Sequence, residues 1–268
     1  APTCTDKVVN GSETDTDCGG ATCPQCASGG ACNYSTDCSN GICEQNKCRL
    51  PVSCDELHKA QPKLTSGSYV LLPDSAGNIS VTCEMTAHGG GWTLVGSVVN
   101  GVTRKWNTVA AFTGADVHGT AAASKTNNYK SAAWSRVAGN DLRIETSDYS
   151  FGFNKLLSAQ ALGPYIKASW PTTCKTTWIR SGADFSTGLS SALQKTMNFA
   201  LRAKDSNASC FPGTNENTAV SFIGATCCWV GGLGNNISGH AWGNHDLSLL
   251  KLSRYKTAAC TKNVYPCN

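Results

Sequence analysis

Long hydrophobic runs are missing from this chain of 268 residues. No apolar stretch approaches the roughly 18 to 20 residues that a helix needs to cross a bilayer, which argues against membrane insertion. Charge is also sparse. Only 15% of residues are Asp, Glu, Lys or Arg, and no dense Lys/Arg cluster occurs. Nucleic acid is thereby excluded as a partner, because phosphate binding needs a concentrated basic stripe. The chain has no G-x-S-x-G elbow, no H-E-x-x-H pair and no Gly-rich phosphate loop. Its histidines are scattered at His58, His88, His118, His240 and His245. The reading is therefore non-catalytic, and an enzyme here would have to draw on His240, His245 and Asp246. Ala1 opens the chain without a basic n-region or apolar h-region, as expected once a signal peptide has been removed.

Cysteine, by contrast, is abundant. Eight of the 16 lie between Cys4 and Cys48 and eight between Cys54 and Cys267. Residues 1–50 hold almost no large apolar side chains and cannot collapse hydrophobically, so disulfides are expected to take the place of a core. Two loose half-repeats divide them, Cys4 to Cys26 and Cys32 to Cys48. Two bridges per half is the simplest pairing among roughly a hundred connectivities. The expected organisation is a disulfide-knotted module over 1–50 and a larger domain over 54–268. Asn-x-Ser/Thr sequons at Asn10, Asn33, Asn78, Asn207 and Asn236 agree with a secreted, extracellular glycoprotein. Residues 1–53 carry a net charge of −3 and the remainder +7.

Arg49 to Ser53 reads as a short linker. A helix follows from Cys54, capped near Ser53 or Asp55 and ending before Pro62. SGSYVLLPD and NISVTCEM read as two strands around a turn at Asp74 to Gly77, which places Cys54 and Cys83 to tie the helix to the second strand. GGGWTLVGSVV reads as a third strand, entered through glycines suited to positive φ or close backbone approach, with His88 a turn residue. WSRVAG reads as a helix end, and DLRIETS and TTWIRS read as strands. SSALQKTMNFALRA is helical throughout or a helix leading into a strand. The Gly-, Asn-, Trp- and Cys-rich last 60 residues read as long functional loops closed by the strand LSLLKLSRY.

Three constellations could carry chemistry. Asp6, Glu13, Asp15 and Asp17 crowd one loop with Asn10, offering the hard oxygens calcium requires; the alternative is that they cap turns through Asx-type bonds. Cys23-Pro-Gln-Cys26 lacks a second pair at zinc spacing and is read as disulfide-forming. Trp229, Asn235, Asn236, His240, Trp242, His245 and Asp246 gather among glycines, the mixture of aromatic face, amide, imidazole and carboxylate that a sugar needs. The alternative is that the tryptophans fill the core and the polar groups satisfy loop backbone.

The series CDELHKAQPKLTSGSYVLLPD and VTCEMTAHGGGWTLVGS resembles the opening of the fibrinogen-like C-terminal domain. Cys228, Trp242 and LSLLKLSRY fall in that family's later order, and the absence of its long aromatic-rich middle motifs suggests the divergent, intelectin-like (X-type lectin) branch or a protist or bacterial relative. The resemblance implies an α+β fold with a twisted antiparallel sheet, a ligand region in the long C-terminal loops, and binding without catalysis. It also implies calcium, although the loop Asp205-Ser-Asn207-Ala-Ser209-Cys210 keeps one carboxylate. Thr226 stands where the lectin branch has a calcium-binding His. Residues 1–50 are similar to NGxETDxDCGG repeats of extracellular proteins. The leading expectation is a carbohydrate-binding recognition or adhesion protein whose partners are glycans or glycoproteins. The alternative is a subunit of an extracellular filament, sheath or appendage that docks head to tail on other copies of itself.

Overall fold

The computed structural model describes residues 3–97, 109–124, 127–145, 150–170, 176–180, 182–189, 191–202, 219–224 and 229–233. These fall into two compact units, residues 1–94 and 95–268. The architecture is α+β, with antiparallel sheets, short helices and a disulfide-rich N-terminal region.

In the first unit, residues 3–50 are built on four disulfides: Cys4–Cys23, Cys18–Cys26, Cys32–Cys43 and Cys38–Cys48. Each half of the module therefore closes on itself, first cysteine to third and second to fourth, so the half-repeats seen in the sequence are repeated in the bridging. Cys26, Cys32, Cys38 and Cys48 are the buried centre. In the first half the glycines of Asp17-Cys18-Gly19-Gly20 both have positive φ, 78° and 71°. A Cβ on Gly19 would collide with Thr14 and one on Gly20 with the Ser12 carbonyl, so no other residue fits there. In the second half a hairpin joins β1 (Ile42–Glu44) to β2 (Lys47–Arg49). Its two-residue turn, Gln45 and Asn46, has positive φ at both positions, the geometry that matches strand twist.

Helix α1 (Cys54–Ala60) starts at Ser53, whose side chain accepts the Glu56 N–H at 3.1 Å. It buries Cys54 and Leu57. Strands β3 (Gly67–Leu71) and β4 (Ile79–Glu84) pair in the register Tyr69↔Val81 and Leu71↔Ile79. Alternation puts Tyr69, Leu71, Ile79, Val81 and Cys83 inside. The Cys54–Cys83 bridge joins α1 to β4, as the sequence led us to expect.

Arg49 to Ser53 is not a free tether. The Arg49 guanidinium donates to both carboxylate oxygens of Glu56 (2.6 and 3.2 Å) and to Glu44 (2.7 Å), and the Leu72 N–H donates to the Pro51 carbonyl. Gln61, just past the helix end, is buried and donates from Nε2 to the Cys38 and Gly41 carbonyls at 3.1 and 2.8 Å. The module and α1 are thereby one packed body.

The expected third strand is two: β5 (Trp92–Thr93), which pairs with β4, and β6 (Gly96–Ser97), which pairs with β7 (Tyr129–Lys130). The run is broken because its two ends bond different partners. Gly89, Gly90 and Gly91 all have positive φ. A Cβ on Gly90 would lie 2.6 Å from His58 Cε1, and one on Gly91 2.9 Å from Asp55 Cα, so the glycines admit α1 against this turn.

The second unit continues with α2 (Val109–Thr113), α3 (Ala133–Arg136), β8 (Leu142–Glu145), β9 (Ser150–Phe153) and α4 (Leu162–Ser169). Then come β10 (Thr176–Arg180), β11 (Phe185–Thr187), α5 (Ser191–Thr196), β12 (Met197–Arg202), β13 (Ala219–Gly224) and β14 (Trp229–Leu233). Its sheets run β11-β9-β8 and β10-β12-β13-β14, all antiparallel. The core gathers Phe112, Trp134, Ile144, Phe151, Phe153 and Phe199, each 0–1% exposed. Gly163 of α4 lies so close to Trp134 that a Cβ would sit 2.7 Å from its ring. The Trp134 indole donates to the Phe112 carbonyl at 2.7 Å. The sequence SSALQKTMNFALRA resolves as helix then strand, α5 and β12.

Candidate functional site

Of the residues expected to bind a ligand, Trp229 opens β14, an edge strand of the four-stranded sheet, where it pairs with Gly224. Asn235, His240, Trp242, His245 and Asp246 lie outside the described residues, as do the sequon residues Asn207 and Asn236, the metal candidate Asp205, the cysteine pair Cys227-Cys228 and the closing strand LSLLKLSRY. What the structure describes of this site is strand β14, at the edge of its sheet, which immediately precedes residues 234–246 in the chain.

The acidic loop of the first unit is fully placed. Asp6 accepts the N–H groups of Thr3 and Val8 and the Asn10 amide at 2.9 Å. The Asn10 amide first, with those N–H groups, holds the Asp6 carboxyl below its usual range. Glu13 accepts the Asn10 N–H, and Asp17 accepts the Lys7 N–H. Asp15 accepts the Ala31 N–H at 2.7 Å and that of Thr16, and these bonds lower its pKa. Each carboxylate is thus turned onto backbone donors, the Asx-type arrangement. No three of these four carboxylates bring an oxygen each within 4.8 Å of one another. Glu13 instead approaches the Cys4–Cys23 bridge. Cys23 and Cys26 are both in disulfides, but with Cys4 and Cys18 rather than each other.

Several polar groups that organise the molecule were not singled out by the sequence. Asp37, buried in the module, accepts N–H groups from Gly20, Asn33 and Tyr34. Its equivalence to Asp17, each preceding the second cysteine of a half-repeat, was the available signal. Glu84 receives the Ser66 and Thr86 hydroxyls and the Thr86 and Ala87 N–H groups. Partial burial works to raise its carboxyl, but these donors outweigh it and bring it down to about 2. In the second unit Lys130 is completely buried. Its ammonium donates to the Gly114 carbonyl and Asp116, both at 2.9 Å, and lies 5.9 Å from the Trp134 ring centre. Burial pushes the Asp116 carboxyl up, but Lys130 more than offsets this and His118 adds to the lowering. Lys130 and Asp116 thus bond each other, and the Gly114 carbonyl shares the same ammonium, which fixes residues 114–116 against β7.

Five disulfides among the described residues mark an extracellular protein, and no described helix is long and apolar enough to cross a membrane. The class is thus a disulfide-stapled α+β protein of the extracellular space. No family model matches the chain. Over 72 residues it is 38% identical to the fibrinogen beta chain of Petromyzon marinus, which takes in 24% of this chain and 15% of that relative's length.

Proposed function

We propose that this protein is a secreted, non-catalytic recognition protein with a fibrinogen-like domain that binds carbohydrate through residues 229–246. The supporting observation is the position of Trp229 on edge strand β14, directly before a segment that combines Trp242, His240, His245, Asp246 and Asn235. These residue types together offer an aromatic face and hydroxyl-binding groups to one ligand. The limited similarity to a fibrinogen beta chain is compatible with this reading. Calcium belongs to it as a ligand-bridging ion, to which Asp205 and Asp246 would contribute oxygen. A glycan array probed with and without chelator tests both parts. Binding abolished by Trp242→Ala supports the reading, and no binding to any glycan in either condition overturns it.

A second reading is a filament subunit, with the acidic module of one copy docking on the next. The fixed attachment of that module to α1 through Arg49 and Gln61 favours it, because a repeating contact needs a rigid arm. Electron microscopy of native material separates the two. Discrete particles at all concentrations would remove the filament reading.

A further inference from the structure

Three of the five sequons lie among the described residues, and their side chains stand in different surroundings. Asn33 and Asn78 are exposed, and neither side-chain amide makes a hydrogen bond among the described residues. Asn33 is fixed through its backbone, its N–H donating to Asp37 at 2.8 Å, which leaves the side chain free. Asn78 follows Gly77, φ 102°, at the end of the β3–β4 turn.

Asn10 differs in each respect. It is half-buried, its Nδ2 donates to Asp6 at 2.9 Å and its Oδ1 is sealed from solvent. Its backbone also exchanges bonds with Glu13, the N–H donating to Oε2 and the carbonyl accepting the Glu13 N–H, both at 3.1 Å. Asn10 is thus the pivot of the turn that the Cys4–Cys23 bridge closes. A branched sugar on Nδ2 would crowd the Asp6 carboxylate that this nitrogen bonds and would have to stand clear of the enclosed Oδ1 beside it.

We infer that, of these three sequons, Asn33 and Asn78 are N-glycan acceptors and Asn10 is not. The donor is a lipid-pyrophosphate-linked oligosaccharide. A bond forms from Nδ2 to the sugar's anomeric carbon as the bond from that carbon to the pyrophosphate breaks. The amide gives up one proton, and the lipid pyrophosphate leaves. Transfer acts on chain still folding, but only a glycan the fold can accommodate survives in secreted protein. The assignment is independent of what the protein binds.

The test is the full chain secreted from a eukaryotic host, treated with peptide N-glycosidase in heavy-oxygen water and mapped by mass spectrometry. Label is expected at positions 33 and 78 and not at 10. Asn33→Gln and Asn78→Gln should each remove one glycan step on a gel, and Asn10→Gln none. Label at Asn10, or its absence at Asn33 or Asn78, overturns the assignment. So does a mobility step lost in Asn10→Gln.

Discussion

Residues 3–50 bury cysteine where residues 109–199 bury phenylalanine and tryptophan. In the module the four most enclosed hydrophobic positions are half-cystines, and the interior is completed by one carboxylate, Asp37, that collects three backbone N–H groups. In the second unit the described core is aromatic and aliphatic, with Phe151 edge-on to Phe153 at 6.0 Å and Phe112 stacked on Trp170 at 5.9 Å. The contrast shows two ways of overcoming chain entropy. Cross-links restrict the unfolded chain, whereas buried apolar area favours the folded one. A stretch this short and polar has only the first route open to it.

The two largest expected effects, similar in size, test that contrast from either side, the first within the module. Replacing both Cys38 and Cys48 by Ser removes a buried bridge, a loss of about 2 to 5 kcal/mol for a small disulfide domain. Hydrogen exchange should then accelerate at the amides of positions 26, 29 and 48 while β8 and β9 keep their protection. Equal loss in both places would mean that the units are not independent. The converse variant, Phe153→Ala, should cost about 3 to 5 kcal/mol in denaturant unfolding of the second unit and leave module exchange unchanged.

Gln61→Ala is smaller and sharper, because it leaves the disulfides intact but strips the Cys38 and Gly41 carbonyls of their buried partner. About 1 to 3 kcal/mol is expected, seen as faster exchange at the junction of module and α1. Wild-type exchange there would show that the module is held by its bridges alone. Ser53→Ala removes the N-cap of α1 and should cost about 1 kcal/mol in thermal or denaturant unfolding.

The smallest effect is on pH. Because the folded Glu84 carboxyl is depressed to about 2, its contribution is complete above the ordinary carboxylate value of 4.5 and is lost as pH falls toward 2. A side-chain carboxyl titration by NMR should place the Glu84 midpoint well below those of exposed glutamates. An ordinary midpoint would show that the Ser66, Thr86 and Ala87 donors do not hold in solution.

Much of the first unit was legible before any coordinates, for reasons of local chemistry. The alternation of Tyr69, Leu71, Ile79, Val81 and Cys83 carries its own strand period, Ser53 its cap, and Gly89-Gly90-Gly91 their positive φ. Less of the second unit was. Strand β9 is buried at all four positions and shows no alternation, and Gly152 within it, under the Phe185 ring, reads locally as a strand breaker. The acidic loop was open to two readings, since carboxylate spacing alone cannot tell a cation from the backbone N–H groups of a tight turn. Only the fold brings the Ala31 N–H, sixteen residues away, to Asp15.

The sequence by itself determined the extracellular setting, the bridging of each cysteine quartet within its own half, and the helix-and-hairpin order that follows Cys54, because these rest on composition and on contacts close along the chain. Only the tertiary structure decided that cysteines pair first with third and second with fourth, that Arg49 and Gln61 fix the module to α1, and that GGGWTLVGSVV divides between two partners. These depend on which distant groups meet. A buried carbonyl or sulfur must find a partner from whatever element the fold brings near, and no local pattern records which one that is.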